Sequence, residues 1–113
     1  FGDFIKLRDE KCVTCGATEH LQCGHLFSRV AYSTRWDDRN AFCQCRSCNM
    51  RHEYDPGPLT MHFLKEYSDM AYSCLHRLHH TTVKYTDADL ERFIELYRNK
   101  RANLELEKAM EWR

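Results

Sequence analysis

Net charge is missing from this chain. Seventeen basic side chains balance seventeen acidic ones, so the overall positive field of a general polyanion binder is absent. Long apolar runs are missing as well. No stretch approaches the roughly 20 residues a helix needs to cross a bilayer, and the N-terminus lacks the basic-then-apolar pattern of a secretory leader. A membrane partner is therefore not expected, and the expected compartment is the cytoplasm. There is no internal repeat and no low-complexity tract, which sets aside solenoid and disordered classes. The first residue is Phe1 rather than Met, which suggests a piece of a longer protein. With 113 residues, 42% of them hydrophobic and 30% charged, the expectation is a single globular domain over 1–113.

The seven cysteines are what the sequence does have in quantity. Their number is odd and no signal peptide is visible, which argues against a secreted disulfide framework. Four fall in two Cys-x-x-Cys pairs, Cys12/Cys15 and Cys45/Cys48. A two-residue gap lets each pair chelate one ion from a tight turn, and zinc accepts four thiolates tetrahedrally. The four are read as a structural Zn2+ site. Gly16 relieves backbone crowding after the first pair. Cys23, Cys43 and Cys74 are read as small buried hydrophobes.

Along the chain, Phe1 to Leu7 reads as a short helix or strand leading into the first knuckle. Leu21, Cys23, His25 and Phe27 alternate in a ribbon strand, Ser28 to Asn40 reads as a long loop, and Ala41 to Gln44 forms a second short strand. Asn49 to Tyr54 starts a short helix that Asp55-Pro56-Gly57-Pro58 ends. Apolar residues from Leu59 to Leu78 predict one amphipathic helix. Thr86 and Asp89 form a capping box for a second long helix carrying Leu90, Phe93, Ile94, Tyr97 and Leu104. The charged end from Glu105 is expected to fray or to belong to a neighbour. The predicted class is α+β, with a zinc-braced core over 12–54 and a helical extension over 58–113 that is a candidate dimerisation element.

Charge is uneven even though its sum is zero. Arg29, Arg35, Arg39, Arg46 and Arg51 face only Asp37 and Asp38 between Gly24 and His52. Guanidinium forks suit phosphate oxygens, so this stretch is the candidate DNA-contacting face, with a solvated surface as the plain alternative. Tyr32 and Trp36 either stack on unpaired bases or plug a core edge. His76, His79 and His80 are read as surface residues.

The run Gly24-His25-Leu26-Phe27-Ser28-Arg29, then Thr34-Arg35-Trp36-Asp37, Asn40 and Gln44-Cys45-x-x-Cys48-Asn49 resembles the phage NinG/Rap recombination nuclease family. It is similar more widely to the HNH, or ββα-metal, nucleases braced by four cysteines. The match runs from about Cys12 to Tyr54. The resemblance implies an HNH-like core in which His25 is the general base, Asn40 holds the loop and orients that histidine, and Asn49, at the helix start, ligates a catalytic Mg2+ or Mn2+. Glu53 or His52, one turn on, is the candidate further ligand. It also implies branched or recombination-intermediate DNA as the substrate, in a bacterial host cell, while the long C-terminal helices are the expected interface of a homodimer.

The chemistry is coherent by itself. Neutral imidazole can take a proton from water near physiological pH, and a hard divalent ion prefers oxygen ligands such as a carboxamide plus a substrate phosphate. The broader group often carries aspartate or histidine immediately before the base as a metal ligand. This chain has Gly24, which implies a weakly held catalytic ion. The rival reading is a non-catalytic zinc module that binds nucleic acid or protein. A purely structural phage protein is a second rival.

Overall fold

The computed structural model describes residues 1–111; Trp112 and Arg113 lie outside the described residues. The chain opens with helix α1 (Gly2–Asp9), which ends where Glu10 takes a left-handed conformation (φ 68°). After the first Cys-x-x-Cys turn, strand β1 (Leu21–His25) pairs antiparallel with strand β2 (Ala41–Cys45). The register sets Leu21 against Cys45, Gly24 against Phe42 and His25 against Ala41. Helix α3 (Arg46–Arg51) follows β2 without a loop, Cys45 serving as its N-cap residue.

Two strands alone are marginal, because each keeps an unpaired edge. Here the outer edge of β2 is closed by two side chains and one backbone N–H. The Arg8 guanidinium donates to the Ala41 carbonyl (2.7 Å), the Asp9 carboxylate accepts the Cys43 N–H (2.8 Å), and the Val13 N–H donates to the Cys43 carbonyl (2.9 Å). All five β2 residues are buried.

The stretch predicted as a loop contains helix α2 (Tyr32–Arg35) and a 3-10 turn, Asp38–Asn40. Short elements of three or four residues leave no periodicity to read. Asp37 starts the turn by accepting the Arg39 N–H (3.0 Å). The single helix expected over Leu59 to Leu78 is two: α4 (Gly57–Glu66) and α5 (Asp69–His79). Tyr67 leaves helical geometry (φ −117°, ψ −119°), and the Ser68 hydroxyl then caps α5 by accepting the Ala71 N–H (3.1 Å). The Ser-Asp start signal outweighs the continuing apolar period. Helix α6 (Asp87–Glu111) begins with the capping box as predicted. The Thr86 N–H donates to the Asp89 carboxylate (2.9 Å), and the Asp89 N–H donates to the Thr86 hydroxyl (3.2 Å).

The main apolar cluster joins Leu26 and Phe42 of the ribbon region to Leu59 and Phe63 of α4 and Leu75 of α5. The helical extension thus completes the ribbon's core. Helix α6 lies against α1 and the 28–40 segment. Its Tyr97 hydroxyl donates to the Trp36 carbonyl (2.6 Å), Lys100 pairs with Asp38 (2.8 Å), and Phe93 stacks on Trp36 at 5.6 Å between ring centres. Trp36 is therefore packed between elements. Of the three extra cysteines, Cys43 is buried and Cys23 partly so, whereas Cys74 is exposed, contrary to expectation. It sits on α5 next to the buried Leu75.

Candidate metal centre and histidine site

The four cysteines of the two pairs meet. Their sulfurs all lie within 4.8 Å of one another, and Cys15 Sγ stands 3.7 Å from Cys45 Sγ. A tetrahedron with Zn–S bonds of about 2.3 Å has edges of about 3.8 Å, so the cluster has the size of a zinc cage. Local geometry explains the convergence. Gly16 (φ 81°) turns the first pair back on itself, with its N–H bonded to the Cys12 carbonyl (2.9 Å). The second pair straddles the β2–α3 junction. Burial opposes ionisation of Cys12, but hydrogen bonds from the Thr14 hydroxyl and from neighbouring backbone groups outweigh it and draw the thiol down to about 6. Cys48 is pushed up to about 12. The Thr14 hydroxyl favours its thiolate, but burial and the thiols of Cys45, Cys15 and Cys12 together oppose it more strongly. One thiol of the set ionises readily and another resists. A cation is what allows all four to be thiolates at once. These four cysteines can hold a structural zinc ion.

His25 closes β1. Its Nε2 lies 2.9 Å from the Arg35 carbonyl oxygen. A carbonyl only accepts, so Nε2 carries the proton, and Nδ1 of the neutral ring keeps its lone pair. Burial holds the His25 pKa below its ordinary value. The Arg35 carbonyl works against that shift, and the positive charges of Arg29 and Arg35 add to it. The Phe1 ring stacks over the imidazole at 6.0 Å.

This shift has a sign that can be checked. Below about pH 6.5 an unfolded histidine binds a proton that folded His25 resists. His62 and His79 are also lowered, chiefly by burial. Stability is therefore expected to be complete above about pH 6.5 and to fall as the pH drops below it. Urea midpoints measured from pH 8 to pH 5 check this; a midpoint rising toward pH 5 would contradict it.

Asn40 is fully buried, and among the described residues its side chain makes no hydrogen bond to His25. Its Oδ1 accepts the Phe27 N–H (2.8 Å), and its Nδ2 donates to the carbonyls of Phe27 (3.0 Å) and Thr34 (3.1 Å). It thereby fixes the segment whose next residue, Arg35, receives the His25 proton. Asn40→Ala strips partners from three backbone groups, one buried and two partly buried. We expect a loss of about 2–4 kcal/mol in chemical denaturation; a change under about 0.5 kcal/mol would mean that water replaces the amide fully.

Asn49 is not the first residue of its helix, as expected, but the fourth of α3, because the helix starts at Arg46 immediately after β2. Its Nδ2 donates to Gln22 Oε1 (2.9 Å), and its Oδ1 lies 2.9 Å from the position a Cβ on Gly24 would occupy. Asn49 thus reaches across the ribbon to the residue preceding His25. His52 turns inward: Nε2–H donates to the Leu26 carbonyl (2.9 Å), and Nδ1 is buried without a partner. Among the described residues, the exposed Glu53 has no hydrogen-bonded or ionic side-chain partner.

The five arginines divide. Arg39 is held by both carboxylate oxygens of Asp37 (3.0 and 2.7 Å), and Arg51 is held by Asp55 (2.9 Å). Those two charges are locally neutralised. Arg35 lies over the Trp36 and Tyr32 rings, 5.3 and 5.8 Å from their centres. Arg29 and Arg46 are exposed and, among the described residues, have no acidic partner.

The family described as Bacteriophage Lambda NinG protein matches residues 1–107. The chain belongs to the NinG family. Membership extends well beyond the 12–54 stretch whose motifs suggested it and takes in most of α6. No curated protein and no solved structure matches the chain. Sequence reasoning about this NinG chain missed Gln44, whose side chain lies against the residue before His25. It read Tyr97 only as part of a helix stripe, where the structure has its hydroxyl on the Trp36 carbonyl. Gln44 carried a signal, being the one polar residue in the strand Ala-Phe-Cys-Gln-Cys. Among the described residues, no helix is long and apolar enough to cross a membrane.

Proposed function

We propose that this NinG-family chain is a divalent-metal-dependent DNA endonuclease of the HNH type, acting on branched or recombination-intermediate DNA. The observation that carries the reading is the pairing of two groups at the end of the ribbon. His25 is a neutral imidazole whose Nε2 proton is engaged by the Arg35 carbonyl, and the Asn49 amide oxygen lies against the adjacent Gly24. The order of strand, strand and helix beside a four-cysteine cluster supports the same assignment.

In this reading Nδ1 of His25 takes the proton from the attacking water, and the Arg35 carbonyl stabilises the imidazolium that results. Arg29 and Arg46, which have no carboxylate partner among the described residues, hold phosphates of the strand. Asn49 supplies a neutral oxygen suited to Mg2+ or Mn2+, and the exposed Glu53, in the turn just past the end of α3, is the candidate further ligand. Such an ion, when bound, stabilises the charge that builds on the departing oxygen. His52 is the weaker candidate ligand because its Nε2 is already committed to Leu26.

A second reading, a zinc module that binds DNA or protein without cutting, draws on the neutralised Arg39 and Arg51 and on the absence of a side chain at Gly24. Incubating the zinc-loaded chain with linear, plasmid and four-way-junction DNA in Mg2+ or Mn2+ separates the two. Metal-dependent nicking, strongest on the junction, is expected. Tight low-salt binding with every DNA form left intact would favour the second reading.

A further inference from the structure

Gln44 lies on β2 and is only 1% exposed, and its Oε1 is buried with no hydrogen-bond partner. A buried amide oxygen without a donor bears its full desolvation cost, so such an atom calls for a ligand. Its direction indicates where. A Cβ placed on Gly24 would stand 2.3 Å from Gln44 Oε1 and 2.9 Å from Asn49 Oδ1. Two carboxamide oxygens, one from the facing strand and one from α3, therefore converge over the bare Cα of Gly24. Asn49 presents its oxygen there because its Nδ2 is already engaged by Gln22 Oε1 (2.9 Å). Any side chain at position 24 would collide with Gln44. The next residue in the chain is His25.

Converging acceptors with no donor between them repel each other, and a cation removes that repulsion. Hard divalent ions favour such oxygens, and two neutral amides would hold one weakly enough that waters and a substrate phosphate complete its shell. We infer that Gln44 is a second protein ligand, with Asn49, of a divalent cation seated over Gly24. The inference rests on the nuclease reading for the role of that cation. It also accounts for glycine before the histidine: the ligand comes from the opposite strand, and the position is left clear for it.

The test is Mn2+ binding to the zinc-loaded full chain, followed by the loss of the free-Mn2+ resonance signal with and without a short DNA duplex. Zinc content serves as the folding control. Gln44→Glu places a charged oxygen at the same reach and is expected to tighten Mn2+ binding about tenfold or more, and Gln44→Met to weaken it by at least about tenfold. Gly24→Ala, which pushes Oε1 aside without removing either amide, should also weaken it. If Asn49→Ala loses Mn2+ while both Gln44 variants bind like wild type, then Oε1 is satisfied by a water only. The inference then falls, and the nuclease reading stands. If wild type cuts DNA but neither it nor Gln44→Glu retains Mn2+, the inference falls in the same way. If wild type neither binds Mn2+ nor cuts, both fall together.

Discussion

Removing zinc from this protein is expected to unfold it. The Cys12–Cys15 turn, the end of β2 and the first turns of α3 meet at the four sulfurs, and little else ties the knuckle to the helix. Zinc bound to four thiolates contributes about 10–16 kcal/mol of apparent binding free energy in small finger peptides, whereas a whole domain is stable by only about 5–15 kcal/mol. Cys45→Ser removes a ligand that is also the α3 N-cap residue. A chelator, or that variant, should lower the thermal midpoint by about 20–30 °C or abolish the cooperative transition. Near-ultraviolet circular dichroism with parallel metal analysis makes the check. A metal-free chain that melts at the same temperature would remove the cage from the account.

His25→Ala is expected to lower the rate of DNA cleavage by about 10²- to 10⁴-fold, the range for losing a general base. Zinc content and low-salt DNA affinity should hardly change, because among the described residues the imidazole makes one hydrogen bond, to the Arg35 carbonyl, and none to the four cysteines, Arg29 or Arg46. The wild-type rate should keep rising with pH only up to a point below the ordinary histidine range, since burial holds His25 neutral. Asn40→Ala offers a contrast. It should reduce rate and stability together, because it acts through the Thr34–Arg35 backbone and not on the reacting atoms. Equal cutting by wild type and His25→Ala would take His25 out of the mechanism.

Local signals carried part of this picture. The Cys-x-x-Cys pairs announce their geometry because a two-residue gap admits few conformations that place both sulfurs together. Thr86 and Asp89 announce a capping box because each satisfies the other's N–H within one turn. The break at Ser68 was legible too, but the apolar residues on either side continue at helical spacing and obscured it. Elements as short as α2 and the Asp38–Asn40 turn owe their form to partners far along the chain, Tyr97 and Lys100 among them. No local pattern contains those partners. The ion pairs of Arg39 and Arg51 lay within reach of sequence, since Asp37 and Asp55 are close neighbours. Counting charges over a stretch hid them.

By itself, the sequence determined the four-cysteine cluster, the antiparallel ribbon, the capped start of the last helix and the family, because each depends on residues at short fixed spacing. Tertiary structure alone decided which nitrogen of His25 keeps its lone pair, that Asn40 works at one remove, and that Gln44 and Asn49 aim their oxygens at the space over Gly24. Those outcomes depend on backbone carbonyls and amide directions brought together from separate strands and helices. A carbonyl is the same in every residue, so only the fold can say which one faces the histidine.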